Sequence, residues 1–177
     1  AEVMAFRNAI RDPIDCIVYV NLEPCNIKSK TPPCTKFLKD NGATKVYIAN
    51  IDPNPDISGQ GIKDLNKMNI KTNLGILSNE AKELNKSFYK WVKTGYPWVI
   101  AKVAQSLDRN MGKDNTSSYW ITNDISRKHS HSLRSKVDAI LIGKNTAKID
   151  NPSLTVRLVN GKNPIRVVLD TNRTLNQ

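Results

Sequence analysis

The spacing of apolar residues changes period several times along the chain, and each change marks an element. Val3, Phe6 and Ile10 recur at three to four residues, which predicts a helix over 1–10, stopped by Asp12-Pro13. Cys16 to Val20 is a short apolar run rich in β-branched residues, the pattern of a buried strand, with Cys16 as core packing. Cys34 to Asn41 reads as a helix with Gly42 at its C-terminal end, and Lys45 to Ala49 as the next strand. Asp52-Pro53-Asn54-Pro55 is a turn by composition. A helix over 61–68 and a strand within Ile70 to Leu77 follow. Ser78 is expected to cap a longer helix with Leu77, Ala81, Leu84, Phe88 and Trp91 on one face. Gly95-Tyr96-Pro97 breaks it, and the domain boundary is placed there, giving domains 1–95 and 96–177. The second part reads as strand Trp98 to Gln105, helix Asp124 to Ser135, and strands Ala139 to Ile142 and Ile165 to Asp170. Strands alternating with helices predict an α/β protein whose first domain is three-layered around a largely parallel or mixed sheet.

Composition narrows the partners. The 177 residues carry a formal net charge of +11, which suits a polyanion. The lysines are scattered through every segment among many Asn and Ile residues, so they read as a bias of the whole chain and no nucleic-acid partner is expected. A phosphorylated small substrate needs only two or three such charges. Three cysteines are an odd count without a pattern of bridges, which fits a reducing cytoplasm and metal use better than a disulfide framework. The sequence starts at Ala1 and shows no signal peptide and no apolar run of spanning length, so no membrane partner is expected, and with the cysteine usage a cytoplasmic location is.

The chemistry concentrates between Asn21 and Cys34. Cys25 and Cys34 each follow a proline, with a basic, polar loop between them. Pro24 fixes φ at a strand-to-helix corner, and Cys34 opens a helix whose dipole is expected to favour the thiolate. Two thiolates and one imidazole make a zinc site with its fourth position open to water. Zinc deaminases pair a His-x-Glu with the cysteines. The chain starts Ala1-Glu2, the start that a His-Ala-Glu cut directly after its histidine would leave. Glu2 is then the proton carrier beside the metal.

The run Glu23-Pro24-Cys25 with Lys30-Thr31-Pro32-Pro33-Cys34 resembles the riboflavin-biosynthesis bifunctional deaminase/reductase family. The eight residues between the cysteines match that family, whereas tRNA and cytidine deaminases carry a two-residue gap. The likeness continues through Asp52-Pro53-Asn54-Pro55, Gly59-Gln60-Gly61, Leu84-Asn85-Lys86, Thr94-Gly95-Tyr96-Pro97, Ser106-Leu107-Asp108, Trp120-Ile121-Thr122 and Asn151-Pro152 with Leu154-Thr155-Val156-Arg157. It implies a cytidine-deaminase-like α/β/α domain lacking its N-terminus, then the first part of a dihydrofolate-reductase-like domain whose remaining strands and glycine-rich nucleotide loop lie beyond Gln177.

The resemblance also implies roles. Zinc is held by Cys25 and Cys34, and Glu2 is catalytic in the hydrolytic deamination of a diaminopyrimidinone bearing a ribosylamino phosphate. Lys30 falls near the phosphate. NADPH, which reduces the ribosyl chain to ribityl, meets Ala104, Trp120, Thr146 and Asp150. Ser118, Arg134, Leu154, Arg157 and Thr171 meet the substrate, and the two arginines suit a phosphate because guanidinium binds it bidentately. The full-length form is expected to be a homo-oligomer. Asn26-Ile27-Lys28-Ser29 stands where the family has a histidine- and glycine-containing run, and Arg109 where it has glycine. His129 and His131 lie outside every matched motif and read as surface residues. Two rivals stay open: a nucleic-acid or nucleoside base deaminase, against which the cysteine spacing and second domain count, and a basic binding module with structural zinc, which needs four protein ligands.

Overall fold

The computed structural model describes residues 1–28, 32–112 and 120–175. The chain divides into two compact units, Ala1–Ile100 and Ala101–Gln177.

The first unit is built on a parallel sheet of β1 (Cys16–Val20), β2 (Ala43–Ile48) and β3 (Lys71–Leu74), in that order. Val18 pairs with Val46 and Val20 with Ile48, while Lys45 to Ile48 pair with Lys71 to Leu74. Parallel neighbours need crossovers. These are supplied by α2 (Cys34–Asp40) and α3 (Gln60–Lys67). Leu38 of α2, Leu65 of α3, and Ala43, Val46, Ile48 and Ile70 form the buried core, with Cys16, Val18 and Val20 half-buried against it; the strand expected to be buried instead alternates, one face on the core and one exposed. The alternate β1 residues, Ile17 and Tyr19, turn to the other face, where Tyr19 stacks on Tyr47 at 4.8 Å. Gly42, at φ 76°, turns the chain out of α2 in a conformation that suits glycine.

Three expectations for this unit are corrected. The first helix, α1, covers Glu2–Arg7 and stops short, leaving Ile10 fully exposed. Its apolar stripe is used through Phe6, whose ring meets Phe37 of α2 edge-on at 5.3 Å. The single long helix after residue 78 is two helices, α4 (Ser78–Leu84) and α5 (Lys86–Thr94), parted at Asn85. Asn is a poor helix former because its side chain competes for the backbone. Ser78 does not cap α4: it is the first helical residue, and its hydroxyl donates to Asn50 Oδ1 at 2.7 Å.

The second unit holds α6 (Asp124–Arg134), β4 (Ala139–Gly143), α7 (Lys144–Asp150) and β5 (Ile165–Leu169). β4 and β5 pair in parallel from Ala139 with Ile165 to Gly143 with Leu169. α7 was not foreseen: its lone apolar pair, Ala147 and Ile149, gives no helical period. The predicted strand Trp98 to Gln105 does not form. Its composition is right, but a strand exists only where a ladder partner takes its backbone groups. Val99 and Val103 are exposed.

Candidate functional site

In the first unit the chemistry gathers at the carboxyl ends of β1 and β2, where open parallel sheets present their ligand crevices. The chain leaves both strands side by side: Ala49 N–H donates to Val20 O at 2.9 Å, and Glu23 N–H to Asn50 O at 2.9 Å. Glu23 is buried at 3 % exposure. Its carboxylate accepts from the backbone N–H groups of Asp52 (3.2 Å), Gly59 (2.8 Å) and Ile62 (3.1 Å). Two of these donors belong to the first turn of α3, whose N–H groups have no helical partner. Gly61 completes the clamp, because a Cβ there would collide with the Pro24 carbonyl oxygen. Glu23 carried no role in the sequence reading beyond its place in a motif. An acid after a strand gives no signal of three distant backbone donors. Burial holds the neighbouring Asp52 carboxyl above its usual range, with the Glu23 charge adding to it.

Cys25 and Cys34 are brought to this edge from opposite ends of the intervening loop. The Thr35 N–H, in the first turn of α2, donates to Cys25 O at 3.1 Å and ties the two together. Glu2 arrives on the first turn of α1, held against α2 by the Phe6–Phe37 contact. Its Oε2 accepts from Cys34 Sγ at 3.4 Å, with Cys25 also beside Cys34. Glu2, Cys25 and Cys34 are therefore neighbours although 32 positions separate the first from the last. The thiolate expected at Cys34 is not what these protein groups favour. Burial first, then the Glu2 charge, push its thiol up to about 12, outweighing a short helix of seven residues. Among the described residues no group of three or more His, Cys, Asp or Glu side chains is arranged to hold a metal ion. Asn26, next to Cys25, donates to Asp64 Oδ2 at 3.1 Å, which holds that carboxyl below its usual range, while Asn26 Oδ1 is buried without a partner among the described residues. Lys30 lies outside the described residues.

In the second unit α6 starts at Asn123, whose Oδ1 accepts from Ser126 N–H at 3.0 Å. One face of the helix carries Arg127, His131 and Arg134, spaced by four and three residues. Arg127 pairs with Asp124 and lies over the exposed Trp120 ring at 4.6 Å. Arg134 Nη1 donates to Thr155 O at 2.7 Å, and Arg157 Nη1 to Thr155 Oγ1 at 2.8 Å. Leu154, buried and at φ 53°, bends the loop so that these groups meet. Arg134 Nε is buried with no partner among the described residues. Of the expected substrate residues, Arg134, Leu154 and Arg157 thus share one locus. Thr146 and Asp150 lie one turn apart on α7, both exposed. Ala104 is half-buried in irregular chain, Thr171 is exposed just after β5, and Ser118 lies outside the described residues. His131 corrects its reading as a surface residue: it is 6 % exposed, and its Nδ1 accepts from Arg157 N–H at 2.9 Å. Its i, i+3 spacing to Arg134 was the only hint in the sequence.

The RibD C-terminal domain model matches residues 97–177. The riboflavin biosynthesis protein RibD of Bacillus amyloliquefaciens is 43% identical over 176 residues, covering 99% of this chain and 47% of the relative. That of Aquifex aeolicus is 41% identical over 171 residues, covering 96% of this chain and 48% of the relative. The crystal structure of the diaminohydroxyphosphoribosylaminopyrimidine deaminase/5-amino-6-(5-phosphoribosylamino)uracil reductase of Thermotoga maritima superposes with a TM-score of 0.87 at 37% identity, covering 98% of this chain and 50% of that one. The chain spans about half the length of the curated relatives it matches. Both units align in order to these proteins, and residues 97–177 belong to the RibD C-terminal domain family.

Proposed function

We propose that the chain supplies a deaminase unit and part of a reductase unit of a bifunctional riboflavin-pathway enzyme. The deaminase removes an amino group by hydrolysis from 2,5-diamino-6-(5-phosphoribosylamino)pyrimidin-4(3H)-one, and the reductase converts the ribosyl chain of the product to ribityl. The observation that carries the deaminase reading is the meeting of Glu2 with Cys25 and Cys34 at the carboxyl edge of a parallel sheet. Two thiols and a carboxylate in contact repel one another when ionised, and after burial this repulsion adds to the rise of the Cys34 thiol. A bound dication relieves that repulsion and deprotonates its thiol ligands, so the donor set fits two positions of a zinc site. Cys25 and Cys34 would hold the ion together with a further ligand. Zinc supplies Lewis-acid activation of water near neutral pH. Glu2, partly shielded with its side chain 13% exposed, takes the proton of the attacking water and returns it to the departing amine. The clamp of Glu23 on α3 keeps the cysteine loop in place while this happens.

In the second unit Ala104, Trp120, Thr146 and Asp150 would hold NADPH, which supplies the hydride. Arg134 and Arg157 hold the substrate phosphate. The unpaired buried Nε of Arg134 offers a donor that an anion fills. Leu154 shapes the loop, and Lys30, Ser118 and Thr171 are assigned to substrate by the family resemblance. The enzyme works on small molecules in the cytoplasm, as a homo-oligomer in its full-length form, without nucleic acid. Among the described residues no helix is long and apolar enough to cross a membrane.

The test separates ligand from proton carrier in the full-length protein. Glu2→Gln abolishes deamination while zinc stays bound, and Cys34→Ser loses both. Retention of most turnover by Glu2→Gln, or of stoichiometric zinc by Cys34→Ser, would sink this assignment.

A further inference from the structure

His131 is the buried group of the second unit to which the proposed chemistry gives no task. Its Nδ1 accepts from the backbone N–H of Arg157 at 2.9 Å and lies 3.5 Å from that of Leu158. An imidazole that accepts at Nδ1 carries its proton on Nε2 when neutral. Nε2 lies 3.5 Å from Arg134 Nη1, which already donates to Thr155 O at 2.7 Å. Two donors facing each other do not bond, so the bond of His131 that counts is the one to Arg157. Burial first, and then the charged groups facing it, Arg134 from its own helix and Arg157 from the loop, hold it below its usual value. The loop around it is stapled elsewhere as well: Val156 N–H donates to Asn163 Oδ1 at 2.7 Å.

From this geometry we infer that His131 is a positioning residue for the phosphate subsite, fixing the Arg157 backbone against α6 so that the Arg134 and Arg157 guanidinium groups serve one anion. The inference rests on the reading of those arginines as phosphate ligands. Two like-charged groups do not approach unaided, and the imidazole anchors the backbone of one beside the helix bearing the other. The acceptor is the part that matters. Asn places its Oδ1 near the position of Nδ1, whereas Gln places its amide one bond further out, where Nε2 stands.

The experiment uses the full-length protein, with NADPH binding as the check of integrity. Kd is measured by calorimetry for 5-amino-6-(5-phosphoribosylamino)uracil and for its dephosphorylated form, alongside KM and kcat. His131→Gln is expected to weaken the phosphorylated ligand about tenfold, the loss of one hydrogen bond to a buried donor. The dephosphorylated form and NADPH should be unaffected, and the loss should appear in KM with kcat kept. His131→Asn should stay within about threefold of wild type, since it keeps the acceptor. Equal loss in the two variants, no loss in His131→Gln, or equal weakening of both ligands would overturn the inference. Arg134→Ala and Arg157→Ala separate the two levels. If they leave the phosphorylated ligand unchanged, the phosphate reading fails and the inference falls with it. If they weaken it while both His131 variants bind as wild type, the inference alone fails.

Discussion

Arg109 shows how one residue departs from the backbone it occupies. It sits at φ 65°, in a turn where its N–H donates to Ser106 O at 3.0 Å. A side chain with a Cβ in this left-handed region costs about 1–2 kcal/mol. Glycine removes that cost but raises the entropy of the unfolded chain, worth about 0.4–1 kcal/mol. Arg109→Gly is therefore expected to stabilise the second unit by about 0.5–1 kcal/mol, read as a shift of the urea midpoint. An unchanged or lower midpoint would contradict the strain argument. The same residue departs from the family pattern, so the position that looked anomalous in the sequence is the one whose backbone asks for glycine. Glu2 and the cysteines teach the opposite lesson. Residue type and spacing raised the expectation of a zinc site there, but the state of Cys34 was not legible, because it depends on burial and on the distance to Glu2.

Between elements, the clamp of Glu23 on α3 carries more than any single contact in the cysteine loop. Glu23→Ala leaves the N–H groups of Asp52, Gly59 and Ile62 without their acceptor. One buried orphan donor costs about 1–3 kcal/mol, and water reaches part of this site, so a loss of about 2–4 kcal/mol is expected in equilibrium unfolding. On the proposed zinc reading, the zinc content of the full-length protein should fall with it, since the loop that presents Cys25 loses its anchor. A variant as stable as wild type would show that the clamp is incidental. The packing of α6 on its loop has a pH signature. His131 lies below its ordinary value, through burial first and then Arg134 and Arg157. The unfolded chain therefore takes up this proton first as pH falls. The contribution of neutral His131 is complete above the ordinary histidine pKa of about 6.5 and is lost as pH drops through the lower folded value. Denaturation of the second unit followed from pH 7.5 to 5 should show this decline, and His131→Asn should remove it. A slope that survives in the variant belongs to another group.

For the molecule as a whole, the two units differ in how much they bury. The first has a contiguous core from Leu38 to Ile70. The second buries Leu154 and leaves Leu141, Ile165 and Leu169 exposed on a two-stranded sheet. Among the described residues, two strands and a single crossover helix enclose too little apolar surface to hold a dinucleotide firmly. No glycine-rich phosphate loop occurs in the sequence. Residues 98–177 alone are thus expected to show no measurable NADPH binding by fluorescence titration, whereas the full-length protein is expected to bind it. Micromolar binding by 98–177 would place the complete cofactor site within this stretch.

The α/β class and β1, β2, α2, α3 and α6 follow from local pattern, because period and turn residues are properties of neighbouring positions. The grouping of Glu2, Cys25 and Cys34 was expected from the zinc-deaminase motif and not from local period, since 32 positions separate Glu2 from Cys34. The break at Asn85, the unforeseen α7 and the absent strand over 98–105 do not follow from local pattern, because each depends on whether a partner surface or ladder is present. The tasks of Glu23 and His131 were equally hidden. An isolated acid or imidazole has the same side chain whether it faces water or three backbone donors, and only the folded chain brings Gly59 to Glu23 and Arg157 to His131.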